Sequence, residues 1–215
     1  MTVTDFAAHV REATLTEHRE AEESPFIRGL MGGTGSLEEY AALATQLWLL
    51  YGELERLAPL AAAADSRVAP FVDPRLARAD RIAADLDHLV GPGWGERAVP
   101  RAATSAYLVR LREVVAQWPC GFVAHHYTRY LGDLSGGQVI KTMLKRHYAA
   151  DDAAVSFYDF AEVGDLVAFK RHYRVLLDTL ELDDDERERF TREVSHAYRL
   201  NKFLFDELGA AVSSR

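Results

Sequence analysis

The sequence predicts an all-α fold, a single-domain irregular helical bundle. Three observations carry this. No proline occurs after Pro119, apolar residues recur at three- and four-residue spacing in most long segments, and neither β-alternation nor an internal repeat is found. Proline removes a backbone donor and clashes inside a helix, so residues 120–215 contain nothing that forbids a helix interior. With 215 residues, 48% hydrophobic and 27% charged, the chain can bury one core, and it reads as one domain over 1–215.

The elements follow in order. A first helix is expected from Thr4 to Glu22, where Phe6, Val10, Ala13, Thr14 and Ala21 repeat at helical spacing, and it stops before Pro25. A short turn is expected over Phe26 to Leu30. Ser36 followed by Glu39 forms a capping box, which opens an amphipathic helix through Trp48, Tyr51 and Leu54 that Pro59 is expected to kink or end. Asp73-Pro74 and Gly91-Pro92 bracket another helix. From Thr104, Leu108, Leu111, Val114 and Val115 make a helix up to Trp118-Pro119, followed by a long helical segment over Phe122 to Tyr148. Residues 149–164 read as a loop with short turns, and two helices follow, over Asp165 to Leu180 and Asp184 to Leu208. The total is seven to nine helices.

Charge narrows the function. A net charge of −8 and a pI near 5.5 argue against nucleic-acid binding, because phosphates require a field of opposite sign. Cys120 is the only cysteine, so no internal disulfide, paired-cysteine metal motif or Cys-x-x-Cys-His heme attachment exists. No run of eighteen apolar residues and no signal-like leader is found, so a cytoplasmic protein without a membrane anchor is expected.

Gly132, Gly136 and Gly137 fall within six residues of a helical pattern, and each costs roughly 1 kcal/mol relative to alanine. Gly132 and Gly136, four apart, share a face. That face either packs against another helix or admits a flat ligand close to the backbone. Asp133 and Arg129 are placed to pair along the same segment, as a solvated bridge or as a carboxylate ordering water for proton delivery. His18 lies on a stripe with Val10, Thr14 and Ala21, and it is either a half-buried helix residue or a metal ligand. Glu22, four residues on, is placed to accept from Nδ1 and leave Nε2 for a metal. Arg11 lies ~10 Å along the axis from His18. Lys170, Tyr173 and Arg174 form a basic and aromatic stripe, which is a solvated helix face or a site for carboxylates or an acidic partner.

The run Ala124-His125-His126-Tyr127-Thr128-Arg129-Tyr130-Leu131-Gly132-Asp133-Leu134-Ser135-Gly136-Gly137-Gln138 resembles the distal helix of heme oxygenases. Thr16-Glu17-His18-Arg19-Glu20-Ala21-Glu22 resembles their proximal-histidine segment, and the stretch from Phe169-Lys170 to Leu180-Glu181 their propionate-binding helix. The resemblance spans nearly the whole chain and is strongest to small soluble bacterial members.

It implies heme b, held non-covalently between a proximal N-terminal helix and a glycine-kinked distal helix. Heme is both cofactor and substrate there, cleaved with O₂ and electrons to biliverdin, carbon monoxide and ferrous iron, with iron acquisition as the expected purpose. By the resemblance His18 is the iron ligand, supported by Glu22. Gly132, Ser135 and Gly136 lie against the ring, and Arg11, Tyr127, Lys170 and Arg174 meet the propionates. Asp133 acts through ordered water, held by Tyr51, Arg129 and Asn201. A reductase or ferredoxin is expected to dock near the basic heme edge of a monomer. One departure is Tyr198, expected near the distal pocket, where some relatives have phenylalanine.

Two other readings compete. A heme storage or delivery protein would use the same histidine without needing Asp133. A di-iron carboxylate oxidase would use Asp85-x-x-His88 and Glu193-x-x-His196, which put carboxylate and imidazole on one helix face.

Overall fold

The helical periodicity is realised throughout. In the computed structural model, which describes residues 6–213, ten α-helical segments and no β-strand occur among the described residues. They are α1 (Phe6–Ala13), α2 (Leu15–Glu22), α3 (Pro25–Gly32), α4 (Leu37–Ala64), α5 (Ala79–Val90), α6 (Ala102–Gln117), α7 (Phe122–His126), α8 (Gln138–Tyr148), α9 (Leu166–Asp178) and α10 (Asp184–Ser213). Two π-helical turns, Tyr127–Leu131 and Asp133–Gly137, join α7 to α8.

The long helices α4 and α10 are the scaffold. Helix α4 packs on α5 and α6, while α10 packs on α2, α3, α6 and α7, so α10 ties the N-terminal helices to the middle of the chain. Their buried residues, among them Leu43, Leu50, Tyr51, Phe190, Val194 and Leu204, meet Phe122 and Phe157 in one continuous core.

Local chemistry explains most boundaries. The Ser36 hydroxyl accepts from the Glu39 amide at 3.2 Å and so caps α4, which is one of the two bonds of the expected capping box. Ser24 caps α3 with Pro25 in the first turn, Gly91 follows α5 with φ 78°, and Asp165 caps α9 through the amides of Val167 and Ala168. Residues 149–164 carry three short 3₁₀ turns, as a loop with turns should.

Four expectations change. The first helix is two: the Thr14 hydroxyl bonds back to the Val10 carbonyl at 2.8 Å and Thr14 leaves helical geometry (φ −110°, ψ 11°), separating α1 from α2. Thr4, its expected start, lies outside the described residues. Pro59 does not end α4, which runs on to Ala64. Asp73-Pro74 caps only a 3₁₀ turn, and α5 starts at Ala79 because the Glu55 carboxylate, from α4, accepts from the amides of Arg78 and Ala79. Finally, α10 extends past Leu208 to Ser213.

Candidate active site

A cleft opens between α2 on one side and the two π turns on the other, with α10 behind. Its larger lobe encloses about 470 Å³ and an adjoining smaller lobe about 110 Å³; both are lined by His18, Glu22, Gly132, Gly136 and Tyr198. Another cavity of about 390 Å³, between α3 and the far part of α10, contains none of the candidate residues.

On the α2 wall, His18 Nδ1 lies 3.4 Å from Glu22 Oε2, a contact that leaves Nε2 available to a metal. The His18 side chain is 38% exposed, so this is no sealed core histidine. The ring of Tyr198 stands edge-on to the imidazole at 5.1 Å and 84°.

The glycines of the opposite wall divide by function. None has positive φ, so backbone conformation does not demand glycine at 132, 136 or 137. A Cβ on Gly132 would meet nothing within 4 Å, and one on Gly136 would meet only Glu22 Oε1 at 3.7 Å, from across the cleft. Those two keep the wall flat. A Cβ on Gly137 would lie 2.8 Å from Tyr158 Cδ1, so Gly137 serves packing. The Gly132 and Gly136 face therefore does not pack closely against another helix, and the packing contact falls instead on Gly137, outside that face.

Beneath that wall lies a buried polar network. The Tyr51 hydroxyl donates to Asp133 Oδ2, Arg129 Nε donates to Tyr51 at 3.3 Å, and another Arg129 nitrogen donates to Asn201 Oδ1 at 3.0 Å. Arg129 also lies 3.7 Å from Asp133 Oδ1. All four residues are buried, and Arg129, Asp133 and Asn201 line the smaller lobe. Burial pushes the Asp133 carboxyl above its ordinary range, against the pull of Arg129's charge and the Tyr51 hydrogen bond. Burial likewise keeps the Tyr51 phenol protonated.

The basic residues separate. Arg11, Tyr127, Ser135 and Arg174 line the larger lobe, where the guanidinium groups suit carboxylates. The Arg11 position survives the break at Thr14, since both helices face the cleft. Lys170 does not line it: its long stem brings Nζ to the Leu134 carbonyl and the Ser135 hydroxyl, both at 3.2 Å. Tyr173 leaves the expected stripe altogether, being core-buried with its hydroxyl 2.8 Å from His126 Nδ1.

The di-iron arrangement is not assembled. The Asp85 carboxylate accepts from the amides of Ser156 and Phe157, Glu193 is held by Arg110 and His125, and His88 pairs with Asp151 at 3.1 Å. Among the described residues no group of three or more His, Cys, Asp or Glu side chains is placed to hold a metal ion.

Sequence reasoning missed the apolar wall of the smaller lobe, where Leu43, Leu47, Ile140 and Phe205 come from three helices. Only tertiary packing brings them together. Tyr198, expected near the distal pocket, lines both lobes and sets its ring against His18 on the α2 wall.

Comparison with known proteins decides the family. The heme oxygenase family profile matches residues 4–207. The chain belongs to the heme oxygenase family. Heme oxygenase from Porphyra purpurea is 34% identical over 211 residues, covering 98% of this chain and 89% of that protein. The crystal structure of heme oxygenase-1 from the cyanobacterium Synechocystis, in complex with heme, superposes with a TM-score of 0.91 at 33% identity, covering 98% of this chain and 96% of that one. The Leptospira interrogans heme oxygenase structure gives 0.89 at 32% identity, over 95% and 100%. Heme oxygenases are oxidoreductases that degrade heme to biliverdin. No helix among the described residues is long and apolar enough to cross a membrane.

Proposed function

We propose that the chain binds heme b in the cleft between α2 and the π turns and cleaves it to biliverdin, carbon monoxide and ferrous iron, in the service of iron acquisition. One observation carries the reading: a histidine and a side-chain-free glycine face oppose each other across a cleft onto which a buried carboxylate network opens. The cleft fits the group, since a flat macrocycle needs the space left at Gly132 and Gly136, and its carboxylates need the cations of the larger lobe. When bound, heme supplies both the iron that takes O₂ and the ring that is oxidised.

The protein's part is to hold and to protonate. His18 Nε2 ligates iron while Glu22 fixes the tautomer through Nδ1. Arg11, Tyr127 and Arg174 take the propionates, and Lys170, with its flexible stem, joins them from its place beside Ser135. Gly132, Ser135 and Gly136 would leave room beside the bound group, and Asp133, whose carboxyl burial holds above its ordinary range, would pass protons into the cleft through ordered water. Tyr51, Arg129 and Asn201 hold that carboxylate in place. Electrons come from a reductase or ferredoxin docking at the basic edge, and the protein acts as a cytoplasmic monomer whose buried Cys120 takes no part.

The test is an absorption time course of the protein with one equivalent of hemin, ascorbate, O₂ and an iron chelator. Loss of the Soret band with growth of a biliverdin band and release of ferrous iron is expected. A Soret band that persists under these conditions would point to a heme carrier instead, and no Soret complex at all would overturn heme binding.

A further inference from the structure

The proximal histidine is weakly held for a residue on which alignment depends. A histidine ring has a broad, roughly two-fold χ2 preference, so a partly exposed imidazole needs neighbours to fix its plane. Glu22 offers one contact of 3.4 Å from a side chain that is itself 58% exposed. Among the described residues, the ring of Tyr198 is the one aromatic group in contact with His18.

Tyr198 stands on a rigid support. Its helix neighbours Val194, Ala197 and Leu204 are core residues, so α10 cannot shift locally without repacking the bundle. Asn201, one turn on and on the same face, accepts from Arg129 in the network of the opposite wall. One face of α10 therefore touches both walls of the cleft.

We propose that Tyr198 is a positioning residue that fixes the plane of the His18 imidazole through its ring, so that α10 aligns the ligating histidine with the Arg129–Asp133 network. The inference rests on the heme-binding reading of the cleft. The ring does this work and the hydroxyl does not, so phenylalanine should serve equally.

Fluorescence titration with two porphyrins tests it. Zinc protoporphyrin takes an axial ligand, whereas metal-free protoporphyrin IX cannot. An edge-to-face aromatic pair is worth enough to shift an affinity by about 2- to 10-fold. Tyr198→Leu should weaken zinc protoporphyrin binding by about that factor beyond any loss it causes with metal-free protoporphyrin, and this extra loss should vanish in a His18→Ala background. Tyr198→Phe should match the parent with both. Equal losses for the two porphyrins, or an extra loss with zinc protoporphyrin that persists without His18, would mean that Tyr198 merely packs against the macrocycle and would overturn the proposal. So would a Tyr198→Phe variant as weak as Tyr198→Leu. A parent protein that binds neither porphyrin would instead overturn the heme-binding reading. Independently, NMR of the ligand-free protein should show a more mobile His18 ring in Tyr198→Leu, and an unchanged ring would sink the inference.

Discussion

The two walls of the cleft are built on opposite principles. On the α2 wall, His18 and Glu22 are partly exposed and meet at 3.4 Å, and α2 itself buries only Ala21. On the π wall, Tyr51, Arg129, Asp133 and Asn201 are buried and interlocked, and His125 just upstream is anchored by Glu193. On the proposed function, the difference separates two tasks. A wall that captures a ligand can be held by few contacts, while a wall that directs proton transfer must fix buried charges in advance, because an unpaired buried charge costs several kcal/mol.

If that division holds, substitutions on the two walls should fail differently. His18→Ala should reduce hemin affinity by more than the roughly 10- to 100-fold that losing an outer partner costs a metal site, as followed at the Soret band. Asp133→Asn should lower the turnover rate by about 10²- to 10⁴-fold while hemin binding changes little. An equal loss of affinity in both variants would break the comparison.

Acid should loosen α7, the segment that leads into the π wall, through His126 and through the Glu193 carboxylate that anchors His125. Hydrogen bonds from His125 and Arg110 outweigh burial and hold the Glu193 carboxyl at about 2, against 4.5 for the free group, and burial holds His126 at about 3, against 6.5. Both groups have folded pKa values below their unfolded ones, so the stability they contribute is present above the unfolded value and is lost as pH falls. Urea midpoints should therefore decline from about pH 6.5 toward 3 on account of His126, and from 4.5 toward 2 on account of Glu193. Glu193→Gln should flatten the lower window only.

The glycines give the finest distinction. Gly137→Ala should destabilise the protein by about 1–3 kcal/mol in urea unfolding, because Tyr158 is buried and cannot retreat. Gly132→Ala should stabilise the ligand-free protein by up to ~1 kcal/mol yet weaken hemin binding, since its missing side chain leaves space open only in the cleft. A destabilised Gly132→Ala protein would place that glycine with the packing ones.

Much of this was legible in the sequence because the signals are local. The Ser36 cap before Glu39, the helix start at Asp165 and the glycine run each act within a few residues, and each appears where local pattern put it. What was not legible depends on distant partners. Glu55 starts α5 from another helix, and Tyr173 is drawn into the core by His126, 47 residues earlier. Lys170 reaches a backbone carbonyl whose position only the π turns determine. The break at Thr14 is an intermediate case: its hydroxyl acts locally, but threonine also sits in unbroken helices, as Thr45 does in α4 with the same bond to the residue four before it.

The two π turns have a consequence for how the segment tolerates change. A π turn closes its hydrogen bonds over five residues rather than four, so it absorbs a residue beyond what an α turn needs. Since each residue advances the helical phase by about 100°, α7 and α8 form one rod whose two halves are rotated relative to the pattern that an unbroken α-helix would carry. Removing one residue between 127 and 137 would leave a continuous helix of ordinary composition while turning either the carboxylate away from Tyr51 or the bare glycine face away from the cleft. Length in this stretch is therefore a constraint in its own right, beside the identity of the residues it places.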